Sequence, residues 1–192
     1  MSEGHVKLIH DLDVLGEMAA EMDEYLMSDV LFWPMVKGDR PRLTIGGYLL
    51  RQHRLTLLPG LLDAGQQERL RLATGRFHQA LHEKVVRFEE RAHKELHARI
   101  RQWGEYLRDL RSDVRAHAGY YASSVETRAI IATLLDFLAV PPYRLDPQVA
   151  KEVAALDANL RGRWQPGDFV WPPEWQPAYP KETYWWLYGQ PR

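Results

Sequence analysis

Ile9, Leu12, Leu15, Ala19, Met22 and Leu26 recur at spacings of three and four, while Asp13, Glu17, Glu21 and Glu24 fall on the other side. That period predicts an amphipathic helix over residues 6–27 with an acidic outer face. The next stretch, SDVLFWPMVKGDRPRL, breaks the period with two prolines and a glycine and predicts a loop packed by its own Phe32, Trp33 and Met35. Thr44 is placed to cap a second helix running to about Leu58, where Pro59 and Gly60 end or bend it. The Gly46, Gly47 pair makes a hairpin the rival reading.

The longest apolar repeat covers residues 66–117. Leu70, Phe77, Leu81, Val85, Phe88, Ala92, Leu96, Trp103, Leu107, Leu110 and Val114 return in threes, fours and sevens. Glu83/Arg87, Glu90/Lys94 and Glu95/Arg99 add opposite charges four apart. One uninterrupted helix there would be about 75 Å long, whereas a globule of this size has a radius of gyration of about 16 Å. Either the helix breaks near Thr74 and Gly75, or the molecule is elongated and pairs with a second copy as a coiled coil. Beyond it, Ser123 and Glu126 have capping-box spacing ahead of Ile130, Leu134, Phe137 and Leu138, and Pro141 and Pro142 stop that helix. Asp146 before Pro147 opens a last helix to about Leu160.

After residue 160 the period vanishes. Residues 164–192 hold nine aromatic residues and six prolines, a density that excludes regular helix and predicts extended or polyproline-like chain with no sheet partner required. Such a segment can run along the long helix as a strap, on its own subunit or across a homodimer, and bury its rings there, with arginine planes of that helix stacked on them. Exposed, the same rings make a docking arm for a protein partner, centred on Trp171, Trp175, Trp185 and Trp186. The predicted fold is all-α: a helical bundle over 1–160 with one very long central helix, continuous or broken, and an extended aromatic, proline-rich C-terminal strap over 161–192 packed on it.

Composition narrows the chemistry. The 192 residues carry a net charge of -1, which gives no general pull toward nucleic acid or an anionic membrane. The absence of cysteine removes disulfides, thiolate metal sites and cysteine nucleophiles. No window approaches the roughly 18 apolar residues of a membrane span, and the first residues lack a secretory pattern, so the expected location is cytoplasmic with no membrane partner.

Two histidine pairs four apart, His78/His82 and His93/His97, place imidazoles on one helical face, as zinc or di-iron sites do. Glu90 and His93 form a Glu-x-x-His pattern, and on a continuous helix Glu89 falls beside His78, His82 and His93. Those six residues are the candidate ligands for iron, zinc or manganese, the alternative to a protein without a cofactor. Against them, di-iron bundles need two such motifs and this chain has one. His82 and His93 are also about 16 Å apart along a helix, so the two pairs cannot share an ion. Solvated or core-margin histidines are the plainer account.

The basic middle of the chain suggests a nucleic-acid groove, but residues 1–30 carry eight acids and one lysine and can neutralise it, and no nucleic-acid motif is present. Lys37, Arg40 and Arg42 precede the helix start at Thr44 in a crude anion-binding arrangement, which a capped loop explains without a ligand. None of Ser28, Ser112, Ser123 and Ser124 lies in a nucleophile elbow. No motif identifies a family. The expectation is a non-enzymatic interaction or scaffold protein, self-associating as a dimer. A metal-binding bundle of oxidoreductase or hydrolase type is the alternative, and a nucleic-acid-associated protein the third reading.

Overall fold

The computed structural model describes residues 2–192 and is mainly α-helical. Among the described residues the helices are α1 (Glu3–Met27), α2 (Ile45–Leu57), α3 (Ala64–Glu83), α4 (Val85–Ser112), α5 (Val114–His117), α6 (Tyr121–Leu138) and α7 (Pro147–Arg161). Strands β1 (Trp164–Phe169) and β2 (Tyr188–Pro191) follow. No described helix is long and apolar enough to cross a membrane. The chain divides into two compact units, the first ending at Glu95 and the second beginning at Leu96, so the division falls inside α4 and the tail is grouped with α5, α6 and α7.

In the first unit, α1 buries Leu12, Leu15, Ala19, Met22 and Leu26 of the face its period marks, with Leu8 and Met18 beside them and Ile9 only half-buried. Thr44 caps α2, its hydroxyl accepting from Gly47 N at 2.9 Å, which decides against the hairpin. The 66–117 repeat is not one helix. It breaks at Lys84 (φ -132°, ψ 39°), ten residues beyond Thr74, which lies inside α3. The break has a packing reason: Phe77 and Phe88 meet edge to face with centroids 5.5 Å apart, whereas eleven residues of straight helix would separate them by about 16 Å. Tyr48 of α2 stacks on Phe77 at 4.0 Å, and Lys84 Nζ reaches Asp23 of α1 at 2.5 Å.

In the second unit, Asp146 caps α7 by accepting from Gln148 N at 2.8 Å, with Pro147 in the first turn as its sequence predicts. The capping box at Ser123 does not form. A 3-10 turn, Ala118–Tyr120, leads directly into α6, so Ser123 has no orphan amide to cap and its hydroxyl donates to Tyr120 O at 2.9 Å instead.

The tail is not an extended strap without sheet partners. It doubles back, and β1 pairs antiparallel with β2, Trp164 opposite Pro191 and Phe169 opposite Tyr188, with an irregularity between Pro166 and Phe169. Two 3-10 turns, Pro173–Ala178 and Trp185–Leu187, make the return. The pairing depends on Gly189 at φ +145°, where a Cβ would lie 2.2 Å from Gln165 O and 2.9 Å from the Trp164 ring. Prolines 166 and 191 are tolerated because a two-stranded ribbon leaves each strand an outer edge.

Candidate functional site

The first unit contains a cleft of about 580 Å³ between α1, α3 and the loop that joins α1 to α2. Asp13, Gly16, Glu17 and Ala20 of α1 supply one side, and Arg69, Leu72, Ala73 and Arg76 of α3 the other. The loop arches over the acidic face of α1 because that face holds it. Glu21 accepts from Trp33 Nε1 at 2.9 Å and from Val36 N at 3.2 Å. Glu17 accepts from Arg40 Nε at 2.8 Å and Nη2 at 3.0 Å, and from Lys37 Nζ at 2.5 Å. The face expected to look outward is thus the one the chain folds back upon.

Those contacts fix the electrostatics of the cleft. Hydrogen bonds from Arg40, and then Lys37, hold the Glu17 carboxyl down at about 2, well below its ordinary value. Asp13 pairs with Arg69 at 2.5 Å. Arg40 Nη1 lies 3.0 Å from His10 Nε2, which must accept, since a guanidinium only donates. Lys37, Arg40, Arg69 and Arg76 set against Asp13 and Glu17 leave a surplus of two positive charges. At the cleft floor Gly16 sits in the middle of α1, where glycine costs about 1 kcal/mol relative to alanine. A Cβ there would meet nothing within 4 Å.

The anion site suggested ahead of α2 is already filled by the protein. Glu95, fully buried, accepts from Gly46 N at 2.8 Å, and Thr44 takes Gly47 N, so Lys37 and Arg40 turn to α1 instead. Nearby buried charge is likewise spent on crosslinks. Asp11 pairs with Arg54 and lies 3.3 Å from Arg51 Nε, with all three side chains nearly buried. Arg91 donates to the carbonyls of Ser28 and Val30, and its guanidinium stands 4.8 Å over the Tyr25 ring.

The placement of Glu89 beside His78, His82 and His93 assumed one continuous helix, and the break at Lys84 leaves the first histidine pair on α3 and the second on α4. His78 and His82 are exposed on α3, while Glu90 and His97 are exposed on α4. Glu89 and His93 are half-buried there, with His93 Nδ1 3.0 Å from Glu89 O. Among the described residues no three His, Asp or Glu side chains gather closely enough to hold a metal ion.

The tail rings meet α6 and α7. Trp175 and Trp186 are buried, and Trp171 and Trp185 half-buried. The Arg128 guanidinium lies 3.8 Å over Trp186 and that of Arg161 3.9 Å over Trp185, so the stacking arginines come from α6 and α7 rather than from the long repeat. Arg128 also forks onto Asp157 of α7, Nε to Oδ1 and Nη2 to Oδ2 each at 2.8 Å. Trp171 Nε1 donates to Ala122 O at 3.0 Å, and Tyr121 OH to Trp186 O at 2.6 Å. Burial pushes the Tyr184 hydroxyl up to about 12. Sequence reasoning missed the Arg128–Asp157 pair; Arg128 sits within the apolar run of α6, and that misfit was its only signal. It missed the cleft as well, whose cue was Gly16 inside a strong helical period.

No family model, no curated protein and no solved structure matches the chain.

Proposed function

We propose that this is a cytoplasmic, non-enzymatic helical interaction protein that self-associates as a dimer. The observation that carries the reading is a set of exposed apolar side chains at the end of α1 and in the loop beyond it: Met27, Val30 and Val36, the last 86% exposed. Val86 of α4 is exposed too, and its neighbour Arg87 reaches the carbonyls of Leu26 and Met27 at 3.5 Å, which brings the two segments together. Exposed apolar side chains along one segment are the candidates for an association surface. The occupant proposed is a second copy, and a net charge of -1 opposes such self-pairing very little.

This surface replaces the coiled-coil seam as the basis for pairing. Phe77, Phe88, Ala92, Leu96, Trp103, Leu107 and Leu110 of the long repeat are buried within the single chain. In the tail, Trp171 and Trp185 keep partial exposure and are where a separate protein partner would touch it.

Light scattering at micromolar concentration tests the reading. The expected mass is twice the 22.4 kDa of one chain. Val30→Lys with Val36→Lys should return the single-chain mass with an unchanged thermal midpoint. A native chain that scatters as a monomer overturns the proposal.

A further inference from the structure

We infer that the cleft between α1, α3 and the loop carrying Lys37 and Arg40 binds a small organic phosphate monoester. The first argument is charge. Two carboxylates position three of the four cations and leave a surplus of two, which matches the charge of about -1.5 to -2 on a phosphate monoester near neutral pH. The positioned cations keep donors to spare. Lys37 has three N–H groups and Arg69 has five, and Arg76, exposed on α3, has no ion-pair partner among the described residues.

The second argument is shape. At about 580 Å³ the cleft lies within the roughly 300–1,000 Å³ range of small-molecule sites. Its floor is lowered by Gly16 and Ala20, and the glycine has no packing reason within the protein itself, since the space a Cβ would fill is empty. A ligand supplies the reason that packing does not. Leu12 and Leu72 also line the cleft, and Leu72 is half exposed, so the site offers apolar contact beside the cations. Inorganic anions have no use for such contact; a phosphate on an apolar or aromatic body does. Glu17 and Asp13 disfavour nucleic acid, because a polyanion laid along the cleft would meet both carboxylates, whereas a single phosphate can settle among Lys37, Arg69 and Arg76.

Titration calorimetry on the full chain in low salt tests the inference, using adenosine 5′-monophosphate and 4-nitrophenyl phosphate as probes and adenosine as the uncharged control. At least one phosphate probe should bind with a Kd of about 1 mM or tighter, and adenosine at least tenfold more weakly, as expected when a charge-assisted contact is lost. Arg76→Gln should weaken the phosphate probe about fivefold while leaving the thermal midpoint unchanged, because Arg76 is exposed on α3 and Gln keeps part of its stem. Gly16→Leu should abolish binding by filling the floor, and Gly16→Ala should raise the thermal midpoint, which shows that the position accepts a side chain. The inference fails if neither phosphate probe binds, if adenosine binds as well as its phosphate, or if neither Arg76→Gln nor Gly16→Leu changes the affinity. It fails equally if duplex DNA binds more tightly than both probes with the same Arg76 dependence, which would make the cleft a nucleic-acid contact.

Discussion

The two units of this chain solve the same packing problem with different chemistry. In the first, segments distant in sequence are tied by charged groups: Asp11 to Arg51 and Arg54, Asp13 to Arg69, Glu17 to Lys37 and Arg40, Asp23 to Lys84, and Glu95 to the amide of Gly46. In the second, rings do most of this work. Trp103, Tyr121, Trp164, Trp185, Trp186, Tyr184 and Tyr179 form a run of neighbouring aromatic contacts from α4 through α6 into the tail, with centroids 5.1–6.4 Å apart. Arg128 pairs with Asp157 in the second unit, and that arginine also serves as a plate for Trp186. Charged ties depend on protonation and on both partners being present, whereas ring contacts depend on area and shape. The units should therefore fail under different insults.

The largest expected effect is in the second unit. Ending the chain after Arg163 removes nine aromatic residues and the β pairing with them. The loss should be comparable to the whole stability of a domain, about 5–15 kcal/mol. Near-ultraviolet circular dichroism should collapse and a hydrophobic dye should bind. A truncated chain with an unchanged thermal midpoint would show that the tail is a free arm.

Next in size is Asp11→Ala in the first unit. It leaves Arg51 and Arg54 buried beside a missing partner, at a cost of about 3–5 kcal/mol in urea unfolding. Gly189→Ala should cost somewhat less, about 3 kcal/mol, because the tail can part locally to relieve the clash with Gln165 O.

The smallest effect belongs to Glu17. Its folded pKa is depressed to about 2 from an ordinary 4.5, so its stabilisation is fully present above pH 4.5 and is lost as the pH falls from there toward 2. The group is partly exposed, and the expected contribution is under about 1 kcal/mol. Arg40→Met should flatten that part of the acid stability curve, and an unaltered curve would remove Glu17 from the network.

What was legible in the sequence follows from the range of the interactions. Thr44 and the Asp146, Pro147 pair announced their helices because caps act over two or three residues. The buried face of α1 was plain from its period. The same period says only that Asp13, Glu17 and Glu21 lie opposite the core, not that a loop will return to bind them, so the cleft stayed hidden. Lys37 and Arg40 looked like partners for the nearby start of α2, but Glu95, some fifty residues on, had taken that place. The histidine faces were drawn on a continuous helix, and the contact between Phe77 and Phe88 that bends it is tertiary. The pairing of Trp164 with Pro191 was masked by prolines, which ordinarily argue against strands, and its one local mark is Gly189.

Hydrogen exchange of the full chain at pH 7 and pH 2.5, corrected for intrinsic rates, tests the contrast between the units most directly. Ties that need an ionised carboxylate weaken as the pH falls, whereas ring contacts carry no charge to lose. The account predicts that amides of α1, α2 and α3 lose more protection at pH 2.5 than those of α6, α7 and the two strands. Equal loss in both halves, or loss confined to residues 121–191, would contradict it.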